Sequence, residues 1–140
     1  VNIYIGNDHT AVEMKNKIIE FLKSVGNNVI NLGTDTSDSV DYPDFGKKVA
    51  QKVVEDKGSK GIVICGSGIG ISIAANKVNG ARAALCYELE STMLARQHND
   101  ANILALGARF IANEKAITLV KTFLETQFEG GRHQHRIDKL

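Results

Sequence analysis

Gly61-Ile-Val-Ile-Cys-Gly-Ser-Gly-Ile-Gly70 joins a short apolar run to a glycine-rich turn, with a thiol at the junction. Residues 62–65 read as a buried strand, and the turn opens a helix that runs to about Asn76. Such a junction has chemical capacity. The strand end fixes Cys65, the glycines let backbone approach a ligand, and the helix start offers unpaired N–H groups to an anion.

Toward the N-terminus, residues 1–5 form a strand. Ala11, Met14, Ile18, Phe21, Leu22 and Val25 then recur at helical spacing until Gly26 stops them. Residues 28–32 supply a second strand. Residues 34–44 are polar, hold the only proline, Pro43, and predict a surface loop. The aspartates of that loop, at 35, 38, 41 and 44, do not follow the calcium-loop pattern. Phe45, Val49 and Val53 mark the next helix, which ends near Gly58.

Toward the C-terminus, residues 81–86 predict a fourth strand, 88–97 a helix and 102–106 a fifth strand. Asn113 is placed to cap a last helix with the stripe Ile117, Val120, Phe123 and Leu124. The tail, 129–140, is polar, basic and poorly periodic. Five strands alternating with helices predict a three-layer α/β/α, doubly wound, five-stranded parallel sheet of Rossmann-like type, forming one domain over 1–140. Ligands in such sheets bind beyond the carboxyl ends of the strands. Asp8, His9, the Cys65–Gly70 turn, Tyr87, Glu88 and Arg109 all fall there.

Composition narrows the function. The chain is 43% hydrophobic and 24% charged, with 17 basic and 16 acidic side chains and a net charge of +1. A near-neutral surface favours neither nucleic acid nor an anionic membrane, so neither is expected as a partner, and any basic function must be local. Cys65 and Cys86 are the only cysteines, which is neither a disulfide framework nor zinc spacing, and fits a reducing compartment. No stretch reaches transmembrane length, and the N-terminus lacks a basic region followed by an apolar core. A cytoplasmic location is expected.

Three phosphate signatures fail at the glycine turn. The dinucleotide fingerprint needs glycine where Ile71 stands. A P-loop needs lysine where Ser67 stands, and a cysteine phosphatase needs arginine at Ile71. What remains is a thiol beside N–H donors and the Ser67 hydroxyl. A thiolate at a helix N-terminus is stabilised by the helix dipole, and the same donors can hold an oxyanion. Thiolate base plus oxyanion donors suits removal of a proton from carbon next to a carbonyl. The ordinary alternative for Cys65 is a small buried hydrophobe ending a core strand, and that alternative prevails for Cys86. His9 and His98 can equally be helix-capping polar residues. His133 and His135 form an H-x-H in a basic tail, a weak ligand pattern, and no metal is expected there. Arg132 and Arg136 lie four apart and suit phosphate geometry.

Taken together, Gly6-Asn-Asp-His9, Asp41-Tyr-Pro-Asp-Phe45, Ile64-Cys-Gly-Ser-Gly-Ile-Gly70, His98-Asn-Asp-Ala-Asn102, Gly107-Ala-Arg109 and Gly131-Arg-His-Gln-His-Arg136 resemble the type B ribose-5-phosphate isomerases, within the family that includes allose- and galactose-6-phosphate isomerases. The matches span nearly the whole chain in order and spacing. The resemblance implies an aldose–ketose isomerase of the pentose phosphate pathway that works through a cis-enediolate without metal or cofactor. On it, Cys65 is the base and His98 opens the sugar ring. Ser67 assists proton transfer at oxygen, and the backbone of Gly66, Ser67, Gly68, Ile69 and Gly70 holds the enediolate. Asp8 binds sugar hydroxyls; His9, Arg132 and Arg136 bind phosphate; Asn99 and Arg109 complete a site shared across a dimer interface. The implied partners are a phosphorylated pentose and a second copy of the chain, a homodimer or a dimer of dimers. Ser67 in place of threonine, Thr10-Ala11 in place of Ala-Gly, and Asn7 in place of a small residue depart from the family pattern. The competing readings are a six-carbon sugar-phosphate isomerase and a non-catalytic sugar-phosphate-binding module.

Overall fold

The computed structural model describes all of residues 1–140. Five strands form one parallel sheet: β1 Asn2–Asn7, β2 Asn28–Asn31, β3 Lys60–Cys65, β4 Ala83–Leu85 and β5 Ile103–Gly107. Their spatial order is β2-β1-β3-β5-β4. The chain leaves β1 outward to β2 and then returns past β1 to β3, so strand order reverses between β1 and β3. A crevice at their carboxyl ends is the expected binding position in such a sheet.

Alternation along the strands distributes side chains to two cores. Ile3, Ile5, Ile62, Ile64, Leu104 and Leu106 face one side, covered by α1 Val12–Ser24, α4 Leu89–Gln97 and α5 Asn113–Glu125. Val63, Cys65, Ile103 and Ala105 face the other, covered by α2 Tyr42–Glu55 and α3 Ile69–Asn76. The stripe Met14, Ile18 and Leu22 of α1 is fully covered, as is Leu119, Val120 and Phe123 of α5. Both cores are mainly aliphatic, and helices cover both faces of the sheet. No helix is long and apolar enough to cross a membrane.

Three boundaries differ from the sequence pattern. Helix α2 begins at Tyr42, inside the expected loop, because Pro43 sits in its first turn, where no N–H is required. Asn113 is the first helical residue of α5 rather than its cap; Ala112 occupies the cap position, and the Asn113 amide reaches Glu13 instead. The basic tail is ordered as a short helix, α6 Arg132–Ile137, entered through Gly130 and Gly131 at positive φ. A six-residue helix is invisible to periodicity, which needs more than one and a half turns to show.

Helices α2 and α3 cross at close range where Gly46 lies against the Ile71 carbonyl. A Cβ at Gly46 would sit 2.9 Å from that oxygen and 3.0 Å from the Ile71 side chain. Glycine inside a helix normally loses about 1 kcal/mol to alanine, whereas forcing extra volume into a packed contact costs roughly 1–3 kcal/mol. Gly46→Ala should therefore lower stability, read as a lower urea midpoint with an unchanged slope. A raised midpoint would show that the contact relaxes freely.

Candidate active site

Cys65 is the last residue of β3 and is 5% exposed. Its Sγ accepts the backbone N–H of Gly68 at 3.2 Å. Gly68 stands at φ +80, and a Cβ there would meet the Leu106 carbonyl carbon and oxygen at 2.8 Å, so only glycine fits. The turn is stapled to β5 through its carbonyls. Ala108 N–H donates to the Cys65 carbonyl and Arg109 N–H to the Gly66 carbonyl, each at 2.9 Å, while the Tyr87 hydroxyl donates to the Ser67 carbonyl. Ser67 Oγ accepts the Ile69 N–H at 3.1 Å. The backbone N–H groups of Gly66, Ser67 and Gly70 donate to no protein acceptor. A buried thiol thus stands beside a row of unspent donors at a helix start, the arrangement that stabilises an anion.

The end of β1 forms the facing wall. Asp8 is 6% exposed, and its Oδ1 accepts the Thr10 N–H at 3.0 Å and the Thr10 hydroxyl at 2.6 Å. The second carboxylate oxygen takes no protein donor. His9 Nδ1 accepts the Val40 N–H at 3.1 Å, which leaves Nε2 as the protonated nitrogen of the neutral ring, a donor suited to phosphate oxygen. The loop carrying Val40 is held at its start. Asn7 Nδ2 donates to the Thr34 carbonyl at 3.1 Å, and the fully buried Lys15 ammonium donates to the same carbonyl at 2.8 Å. Lys15 also pairs with Asp35, and that hydrogen bond, followed by one from Asn31, holds the Asp35 carboxyl below its usual range. The Asn7 Oδ1 is buried without a partner, a polar atom the chain leaves unspent.

Two further side chains join this end. The Arg109 guanidinium lies over Gly66, 3.1 Å from where a Cβ would be, and the Tyr42 ring lies against Gly70. Tyr87 is wedged between Ser67 and the Phe110 ring. Sequence patterns assign no role to Tyr42 or Tyr87; their places, before Pro43 and after the fourth strand, were the only signal.

The other half of the expected site is elsewhere. His98 and Asn99 precede β5, so they lie beyond the amino end of the sheet, while Cys65 lies at the carboxyl end. The five residues of β5 separate the two levels by about 17 Å. Here Arg96, 6% exposed, donates to the Ala101 carbonyl, the Thr126 carbonyl and Asp100. Arg82 also pairs with Asp100 and helps hold that residue at φ 45. Glu129 N–H donates to the Gln97 carbonyl at 3.0 Å and brings the tail in. The His98 and His133 rings stack with centroids 4.3 Å apart, and Glu129 Oε1 lies 3.8 Å from His98 Nε2 and 3.6 Å from His133 Nε2. Arg132 and Arg136 are exposed on α6. One copy of the chain therefore assembles Asp8, His9, the Cys65–Gly70 turn and Arg109 at one end, and His98, Asn99, Arg132 and Arg136 at the other. The donor atoms of His98, Glu129 and His133 all fall within 4.8 Å of one another, the one grouping with metal-ligand spacing.

A parallel doubly wound sheet with a buried thiol and unpartnered N–H groups at a strand end places the chain among α/β proteins whose ligand site lies beyond the carboxyl ends of the strands. Residues 3–140 match the family model described as Ribose/Galactose Isomerase, and the chain belongs to that family. It is 45% identical to ribose-5-phosphate isomerase B of Escherichia coli strain K12, over 99% of this chain and 93% of that protein. The solved ribose-5-phosphate isomerase B of Clostridium thermocellum superimposes with a TM-score of 0.95 at 51% identity, covering 99% of this chain and 94% of the other. That of Mycoplasma genitalium, solved with bound ribulose-5-phosphate, does so at 0.95 and 47%, covering 99% and 92%.

His133, 6% exposed, is pushed below the ordinary imidazole range. Burial is the first cause, followed by the neighbouring His98 and Arg132, against a smaller opposing effect of Glu129; Arg136 adds to the depression. A histidine depressed in the folded state is protonated more readily when unfolded. Its contribution is thus intact above about pH 6.5 and is lost as pH falls through the window between that value and the lower folded one. The melting temperature should fall with pH in that window, and His133→Gln should flatten the decline. An identical slope in the variant would remove His133 as its source.

Proposed function

We propose that the chain interconverts ribose 5-phosphate and ribulose 5-phosphate through a cis-enediolate, with one domain per chain and two chains sharing each site. The observation that carries this reading is the Cys65 sulfur accepting the Gly68 N–H beside the unspent N–H groups of Gly66, Ser67 and Gly70. Anion stabilisation is thereby available both to the base and to the oxygen that becomes negative. The family, and the sugar phosphate bound to a 47% identical relative, supply the substrate class.

In the proposed reaction, His98 transfers a proton between the ring oxygen and the anomeric hydroxyl to open the sugar. The Cys65 thiolate takes the proton from C2, and the electron pair moves through C1 onto O1, where the turn's N–H groups receive the charge. The proton returns from sulfur to C1, and Ser67 relays a proton from O2 to O1, which leaves a carbonyl at C2. Atoms and charge balance without a cofactor. Asp8 holds sugar hydroxyls, with Asn99 beside them. His9, Arg132 and Arg136 take the phosphate, and Arg109 lies at the edge of the turn. Remote phosphate binding orients the reacting carbons.

Because Cys65 and His98 lie at opposite ends of the sheet, completion of the site calls for a second copy. An apolar surface near the turn is available for it: Ile69 and Ile73 on α3 are 50% and 55% exposed, and Phe110 is 66% exposed. Isolated isoleucines need no explanation, but two on one short helix, together with an exposed phenylalanine just after Arg109, suit a partner. A homodimer in which each crevice receives the partner's amino-end cluster satisfies both requirements.

Turnover of five- and six-carbon aldose phosphates tests the chemistry. The wild type should favour ribose 5-phosphate, and Cys65→Ala should lose roughly 10²- to 10⁴-fold in kcat with substrate still bound. Unchanged turnover would end the assignment of the base. Sharing is tested by mixing inactive Cys65→Ala and His98→Asn chains under conditions of subunit exchange. A mixed dimer carries one intact site, so random pairing should restore about one quarter of wild-type activity. No recovery despite verified exchange would place Cys65 and His98 within a single chain.

A further inference from the structure

We propose that His98, Glu129 and His133 form a site for a divalent transition cation of the zinc class, and that its occupancy silences the enzyme. The second half rests on the role of His98 proposed above; the first does not. Two imidazoles and a carboxylate are a recurrent protein donor set for zinc, with an open fourth position.

The geometry singles out this cluster. His133 is 6% exposed, and its Nε2 is a buried nitrogen without a hydrogen-bond partner. Its approach to Glu129 Oε1, 3.6 Å, is too long for a hydrogen bond, as is the 3.8 Å from His98 Nε2 to the same oxygen. Leaving such a nitrogen buried and unspent is unfavourable, and a cation that accepts its lone pair relieves that. Tetrahedral bonds of about 2.0–2.2 Å place donor atoms about 3.3 Å apart, so the cluster must contract by a few tenths of an ångström along its carboxylate edges. The side chains that can move are the outer ones: His98 is 40% exposed and Glu129 51%, while His133 is held. The stacked rings, 14° from parallel, must open so that both nitrogen lone pairs meet one point, and His98 is the ring free to tilt.

That tilt couples the site to activity. A cation on His98 Nε2 occupies the lone pair that ring opening uses, and it turns the imidazole away from its resting stack. Arg132 and Arg136, on the same helix as His133, disfavour a cation and favour the phosphate group. Metal and sugar phosphate therefore oppose each other, and each should weaken the other's binding by the same factor. The cluster is separate from the thiol of the same chain, and His135, the histidine nearest to His133 in sequence, is exposed and outside it.

The test uses full-length, metal-free protein titrated with Zn²⁺ against a chromophoric chelator, and with Co²⁺ followed by its absorption spectrum. The expected result is one ion per chain at micromolar free metal, with tetrahedral Co²⁺ bands and no thiolate charge-transfer band. Binding should be lost in Glu129→Gln and in His133→Gln and kept in Cys65→Ser. Glu129 is exposed, so its variant folds irrespective of the fate of His133. Ribose 5-phosphate turnover should fall at the binding midpoint and return with chelator. No binding by the wild type, binding that survives both variants, or binding that needs Cys65 would overturn the site. Stoichiometric binding with undiminished turnover would overturn the silencing alone. Absence of turnover in metal-free wild type would overturn the proposed function and leave the titration standing.

Discussion

The interaction on which the rest depends is the stapling of the turn after β3 onto the end of β5. The carbonyls of Cys65, Gly66 and Ser67 are all taken, by Ala108, Arg109 and Tyr87. In the same turn the N–H groups of Gly66, Ser67 and Gly70 take no protein acceptor. Rigidity comes with this polarity, because Gly68 lies directly against the Leu106 backbone and Gly107 against the Ser67 carbonyl. Donors held in this way need not reorganise if charge develops beside them, which is what the proposed reaction asks of the turn.

The second constraint is the parallel sheet. Parallel strands put all carboxyl ends on one side, so residues after strands and residues before strands are separated by the thickness of the domain. Cys65 ends a strand and Asp8 and Arg109 follow strands; His98 and Asn99 precede one. In the proposed reaction a catalytic set drawn from both groups is incomplete in one chain, which is why that proposal includes a second copy. At the amino end Arg96 ties α4 to the approach to β5 and to the segment after α5.

Much of this was legible in the residues. The unbroken apolar run Ile62, Val63, Ile64 and Cys65 identifies a strand buried on both faces, and the stripes of α1 and α5 identify helices buried on one. The Cys65–Gly70 turn announced itself because no other stretch joins a thiol to three closely spaced glycines. Tyr87 was legible only as a residue at the carboxyl end of a strand; its partner, the Ser67 carbonyl, comes from a distant segment and leaves no local pattern. The stack of His98 on His133 was equally hidden. Sequence suggested His135 as the neighbour of His133, whereas folding brought His98 from 35 positions away.

Local chemistry was thus determined by the sequence alone: a strand-borne thiol, a glycine turn open to an anion, a basic tail, and a doubly wound order of elements. Those features depend on residues within a few positions of one another, where spacing is geometry. Tertiary structure decided which of them share a surface. It turned the tail into helix α6, pinned His9 in one tautomer through Val40, and placed His98 with Glu129 and His133 rather than with Cys65. These outcomes depend on contacts between distant segments, set by how the two faces of the sheet are covered, and no local pattern records them.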